Sequence, residues 1–123
     1  MRKQCHNPYM PLWEHVPDGE PHVFGDRLYV YGSHDLENGN EFCEQDYVCW
    51  SAPVTDLSDW RCDGVIYKKE QDPYNQDALP LYAPDVVKGP DGRYYLYYCI
   101  KFQDSINVAV CDTPAGEYRF YGR

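Results

Sequence analysis

The chain has 123 residues, enough for one domain at most. Its formal charge of -9 argues against binding nucleic acid or an anionic membrane, since both need positive charge on the protein. No apolar run reaches the 18 residues of a membrane-spanning helix, while 43% apolar residues suffice for a folded core.

Residues 1–19 are irregular and broken by Asn7-Pro8, Met10-Pro11 and Val16-Pro17, and read as an N-terminal crossing segment. Strands are expected over 21–25, 27–33, 46–52 and 61–68, forming one antiparallel unit (residues 20–69). Gly25-Asp26 is a two-residue hairpin turn. A second unit (residues 83–123) is expected to have strands over 84–88, 93–100, 106–112 and 117–121. Its first turn is Gly89-Pro90-Asp91-Gly92, where Pro presets φ and Gly supplies a positive one. The links Asp35–Gln45 and Glu70–Tyr82 are long and polar, as functional or disordered loops are.

The two units repeat one another. Pro21-His22-Val23-Phe24-Gly25-Asp26-Arg27-Leu28-Tyr29-Val30-Tyr31 matches Pro84-Asp85-Val86-Val87-Lys88-Gly89-Pro90-Asp91-Gly92-Arg93-Tyr94-Tyr95-Leu96-Tyr97-Tyr98, with Pro21 and Pro84 63 residues apart. Tyr47-Val48-Cys49-Trp50-Ser51-Ala52-Pro53 likewise matches Val108-Ala109-Val110-Cys111-Asp112-Thr113-Pro114. Leu28-Tyr29-Val30-Tyr31 and Tyr94-Tyr95-Leu96-Tyr97-Tyr98 are apolar without alternation, as strands buried on both faces are. The fold class implied is all-β, a β-propeller, because stacked blades cover both faces of each sheet. Such an array needs at least three units, so two read as the front of something longer. Two blades alone are expected to be poorly stable.

The six cysteines, at 5, 43, 49, 62, 99 and 111, form no C-x-x-C pair and no metal-finger spacing. Cys49, Cys99 and Cys111 lie in strand-like runs and read as small buried hydrophobes. Met1-Arg2-Lys3 is followed by polar residues where a leader would be apolar, so reduced thiols and a cytoplasmic location are expected. His6, His15, His22 and His34 make no ligand pattern; no metal ligands and no cofactor motif are assigned.

Glu20 precedes Pro21 and Asp85 follows Pro84, at equivalent places in the repeat. In a propeller the first strand of each blade lines the axis, so these carboxylates converge on one mouth. Converging carboxylates are what glycoside hydrolysis uses. The alternative is that each caps a turn or pairs on the surface.

These residues carry a resemblance. Asn7-Pro8-Tyr9-Met10-Pro11, Asp18-Gly19-Glu20-Pro21-His22-Val23, Asp26-Arg27-Leu28-Tyr29-Val30-Tyr31-Gly32-Ser33-His34-Asp35 and Tyr82-Ala83-Pro84-Asp85-Val86 resemble the opening of glycoside hydrolase family 43. The resemblance implies two four-stranded blades of an expected five. It implies inverting hydrolysis of arabinose- or xylose-containing carbohydrates. It also implies that Asp85 tunes a general acid carried on a later blade. The base would be Glu20, standing where the family has Asp directly before Pro, with Asp18 as the backup. Tyr82 stands where Trp is common and would cover a sugar face; His34 and Asp35 would contact sugar hydroxyls or make a surface turn. Trp13 and Trp50 read better as core than as sugar platforms. Glu117 and Asp104 are not assigned as the acid, so this stretch alone is expected to be inactive. A non-catalytic carbohydrate-binding or self-assembling module is the other reading, and a phosphorylase of the same fold a third; the acids weakly favour hydrolysis.

Overall fold

The computed structural model describes residues 6–123; the basic start and Cys5 lie outside the described residues. Eight strands form two four-stranded antiparallel sheets, each ordered as in the chain. The first holds β1 (Glu20–Phe24), β2 (Arg27–Gly32), β3 (Tyr47–Pro53) and β4 (Arg61–Tyr67). The second holds β5 (Leu81–Lys88), β6 (Tyr94–Ile100), β7 (Ile106–Cys111) and β8 (Arg119–Gly122). Phe24 pairs with Arg27, which makes Gly25-Asp26 a two-residue loop, and Gly25 takes the positive φ of 64° that such loops require.

The two sheets face each other across a core rich in tyrosine. Tyr31, Tyr47, Tyr67, Tyr98 and Tyr118 are fully buried, with Ile66, Leu81, Val86, Leu96 and Ile100 around them. A buried phenol must find a hydrogen-bond partner, and each of these does. Tyr31 and Tyr118 donate to the Pro114 carbonyl at 2.7 and 2.9 Å. Tyr47 donates to the Tyr82 carbonyl at 2.8 Å. Tyr67 and Tyr98 share a 2.8 Å bond, and Tyr98 donates to Asp72. Burial pushes the Tyr67 phenol up to about 12, so these hydroxyls stay protonated donors. The Tyr118 amide donates to the Ile66 carbonyl at 2.8 Å and stitches the second sheet to the first.

Both long links are ordered by side chains that bond to backbone. The Cys43 amide donates to Asp35 Oδ1 at 2.7 Å, and Gln45 Nε2 donates to the Asp35 carbonyl at 2.6 Å. In the second link Asn75, 3% exposed, bonds the carbonyls of Lys69 and Leu79 and the Leu79 amide. A 3-10 turn at Lys69–Gln71 precedes it.

Residues 6–19 lie over the other face of the first sheet. Trp13 tilts against Trp50 at 5.9 Å between centroids, and Tyr9 against Trp60 at 5.0 Å. Trp50 is thus core, as expected, while Trp13 is its exposed cover. At Gly32 the segment comes so close that an added Cβ would stand 2.4 Å from Val16 Cγ1 and 2.8 Å from the Pro17 carbonyl. Gly32→Val is therefore expected to cost about 1–3 kcal/mol, read as a lowered denaturant midpoint, because backbone must move to admit it.

The expectation of strands buried on both faces holds for β2 and not for β6. Tyr97, together with Val87, Ile106 and Tyr121, stays exposed on the far face of the second sheet, where none of the described residues covers it. Cys99 is exposed for the same reason, contrary to the sequence reading, while Cys49 and Cys111 are buried. All five described cysteines are free thiols.

Candidate functional site

Strand periodicity places Glu20 and His22 on one face of β1, two residues apart. Asp85 reaches them from β5 only because of a bulge. Tyr82 pairs with Cys99 and Asp85 with Tyr97, so Ala83 and Pro84 together oppose one residue, Tyr98. A one-residue slip moves every later side chain to the opposite face. Were these residues paired regularly, without the bulge, Asp85 would oppose Leu96 and face the core. With it, the Asp85 side chain is 60% exposed and its Oδ1 lies 2.6 Å from His22 Nε2. The same oxygen accepts the Val86 amide at 2.8 Å, which fixes the carboxylate's rotation.

Glu20, His22 and Asp85 thus form one cluster, their ligand atoms all within 4.8 Å of one another. Glu20 and Asp85 are exposed and His22 half-buried, backed by Phe24 stacked at 5.8 Å and by Tyr31. The donor set, one imidazole and two carboxylates, is also of a kind that can hold a divalent cation. Chemically, a solvent-facing carboxylate pair can activate water and can set the charge felt by a third acid nearby.

Asp18 sits just before β1 in the left-handed region, φ 56°, a bend that carries the chain onto the strand. Its Oδ2 accepts the Ser33 hydroxyl at 3.4 Å. Tyr82 is half-buried at the start of β5, its carbonyl held by Tyr47. His34 and Asp35 lie apart from the cluster's contacts. His34 Nδ1 donates to the Asp46 carbonyl at 3.2 Å, and Nε2 meets Glu14 Oε1 at 2.7 Å. Glu14 also accepts the Trp50 indole N–H at 2.7 Å, so His34 clamps the N-terminal segment. Asp35 holds its own loop through the Cys43 amide.

Sequence reasoning missed His22 and Ser33. The i, i+2 spacing of Glu20 and His22 on a strand was the available signal for the first. Nothing in the sequence signals the second, whose partner amide exists only because of the bulge.

Comparison with known proteins decides what this arrangement belongs to. The model of glycosyl hydrolases family 43 matches residues 14–123. The chain belongs to glycosyl hydrolases family 43. Its two sheets are blades of that family's β-propeller. Within the family it is 64% identical to a xylosidase/arabinosidase of Thermoclostridium stercorarium, over 99% of this chain and 26% of that protein. It is 34% identical to a xylosidase/arabinosidase of Humicola insolens, over 88% of this chain and 36% of the relative. Among solved structures it resembles a family 43 enzyme of Xanthomonas citri complexed with xylose, with a TM-score of 0.73 and 28% identity, over 94% of this chain and 34% of that one. The chain thus spans about a quarter to a third of the length of the family 43 proteins it matches.

Proposed function

We propose that this chain is the N-terminal part of an inverting glycosidase acting on arabinose- or xylose-containing oligo- and polysaccharides. Glu20 is the general base that deprotonates the attacking water. Asp85 is the fixed negative charge that raises the pKa of a general acid contributed by a later blade, keeping it protonated near neutral pH. Tyr82, half-buried at the start of β5, is given the role of offering a ring to a sugar face. The observation that carries the reading is the meeting of Glu20 and Asp85, from adjacent sheets, at one solvent-facing cluster. Family membership and the two xylosidase/arabinosidase relatives support the reaction and the substrate class. An inverting pair needs about 6.5–9.5 Å between acid and base, which a residue on a further blade can provide.

A second assignment of the base has its own support. The Ser33 hydroxyl orients the Asp18 carboxylate, and the bend at Asp18 turns it off the strand direction. The two are separated by Glu20→Gln and Asp18→Asn in the longer protein, assayed on an aryl xyloside and an aryl arabinoside. Loss of the base is expected to lower kcat by about 10²–10⁴. A deep loss in Glu20→Gln with a mild one in Asp18→Asn supports Glu20; the reverse moves the role to Asp18. Near-normal rates in both would sink the assignment altogether.

A further inference from the structure

Ser33 follows β2 and is fully buried. Its hydroxyl is placed between the starts of the first strands of both blades. On one side it accepts the Ala83 amide at 2.8 Å. On the other it faces Asp18 Oδ2 at 3.4 Å. An amide can only donate, so the Ser33 oxygen accepts from Ala83 and its own proton is directed to the other side, where Asp18 Oδ2 and the Cys43 thiol are its partners.

The Ala83 amide is available for a definite reason. Ala83 and Pro84 are the two residues of the bulge, and Pro84 has no N–H. The Ala83 amide is the bulge's single backbone donor, and the buried Ser33 hydroxyl takes it. Ala83 is also held at φ 38°, in the left-handed region that a residue with a Cβ adopts only when its surroundings compel it. The bulge is what brings Asp85 out to His22. The residues flanking Ser33 fix the same segment: Gly32 lets Val16 and Pro17 pass at close range, and His34 binds Glu14.

We propose that Ser33 is a positioning residue of the site. Its buried hydroxyl pins the Ala83–Pro84 bulge, which aims Asp85, and at the same time steadies Asp18 at the start of β1. It sets the separation between the carboxylates of the two blades without touching substrate. The inference rests on the glycosidase reading for its kinetic consequence and on geometry alone for its structural one.

The test uses the longer protein with Ser33→Ala, measured two ways. Steady-state rates on an aryl glycoside are expected to show kcat down by at least about 10-fold with KM changed less than about 3-fold, because misaimed groups cost rate rather than binding. Amide exchange is expected to quicken in the segment 81–86 and to stay unchanged in β3 and β7. Ser33→Thr, which keeps the hydroxyl, is expected to recover slow exchange at 81–86 and part of kcat. Unchanged exchange at 81–86 in Ser33→Ala overturns the proposal. So does faster exchange spread over the whole chain with KM and kcat both impaired, the mark of a general loss of packing. If the wild type turns over no glycoside, the glycosidase reading fails, and the exchange measurement alone decides the role of Ser33. Should Ser33→Ala not fold, Ser33→Cys keeps the volume with a weaker acceptor, and its exchange at 81–86 is read in the same way.

Discussion

Asp85→Asn in the longer protein is expected to lower kcat on an aryl xyloside or arabinoside by about 10²-fold or more, within the range of acid–base assistance. The substitution keeps shape and one acceptor oxygen and removes the charge. Two consequences follow from the geometry. The 2.6 Å contact with His22 becomes a neutral hydrogen bond, and the acceptor for the Val86 amide is retained if the amide group keeps its orientation. The fold should therefore survive, with a melting temperature close to that of the wild type. In the proposed role, what is lost is the field of Asp85 on the general acid. A negative neighbour raises the pKa of an acid; removing it lets that acid ionise at lower pH. The alkaline limb of the kcat/KM profile is accordingly expected to move to lower pH. A variant with full kcat and an unmoved alkaline limb would show that Asp85 has no part in the reaction.

The largest effect on stability is expected at Asp72, far from that cluster. Asp72 is 2% exposed, and its carboxylate is the hub of a buried network. Oδ2 accepts the Tyr98 hydroxyl and Asn107 Nδ2, the latter at 2.7 Å; Oδ1 accepts the Tyr74 amide at 2.7 Å. Tyr98 in turn bonds Tyr67 across the two sheets. Asp72→Ala leaves the Tyr98, Asn107 and Tyr74 donors without their acceptor. Each buried donor left without its acceptor costs about 1–3 kcal/mol, so the two fully buried donors of Tyr98 and Asn107 alone cost several. That is a large share of the roughly 5–15 kcal/mol that holds an ordinary domain folded. The expected outcome is loss of soluble protein or a melting transition lowered by ten degrees or more. Asp72→Asn, which restores acceptors on one side only, is expected to fall between. A wild-type melting curve for Asp72→Ala would mean that the network contributes little.

Strand order, the Gly25-Asp26 hairpin and the position of Asp85 were legible because periodicity, turn chemistry and the repeat all agreed. The second strand of each unit, Tyr-rich and apolar, marked the core between the sheets. The start of β5 was misjudged by three residues, at Leu81 rather than 84, because Ala83-Pro84 reads as a break. The chain instead keeps pairing through it as a bulge, and the freed amide is taken by Ser33, 50 positions earlier. Asp72 and Asn75 were invisible for a similar reason. A polar loop gives no sign that its side chains turn inward to satisfy tyrosines on distant strands. His34 and Asp35 drew attention as polar residues after a strand. Contacts that only the folded chain reveals engage them with Glu14 and with the Cys43 amide.

The glycosidase assignment rests on the reaction of the longer protein. The measurement that tests it most directly is proton NMR of an aryl xyloside or arabinoside during the first minutes of hydrolysis, before the product mutarotates. The first sugar released is expected to carry the anomeric configuration opposite to that of the substrate. A retained configuration would contradict the water-activating role given to a carboxylate on the first blade, and no hydrolysis of either glycoside would contradict the glycosidase reading itself.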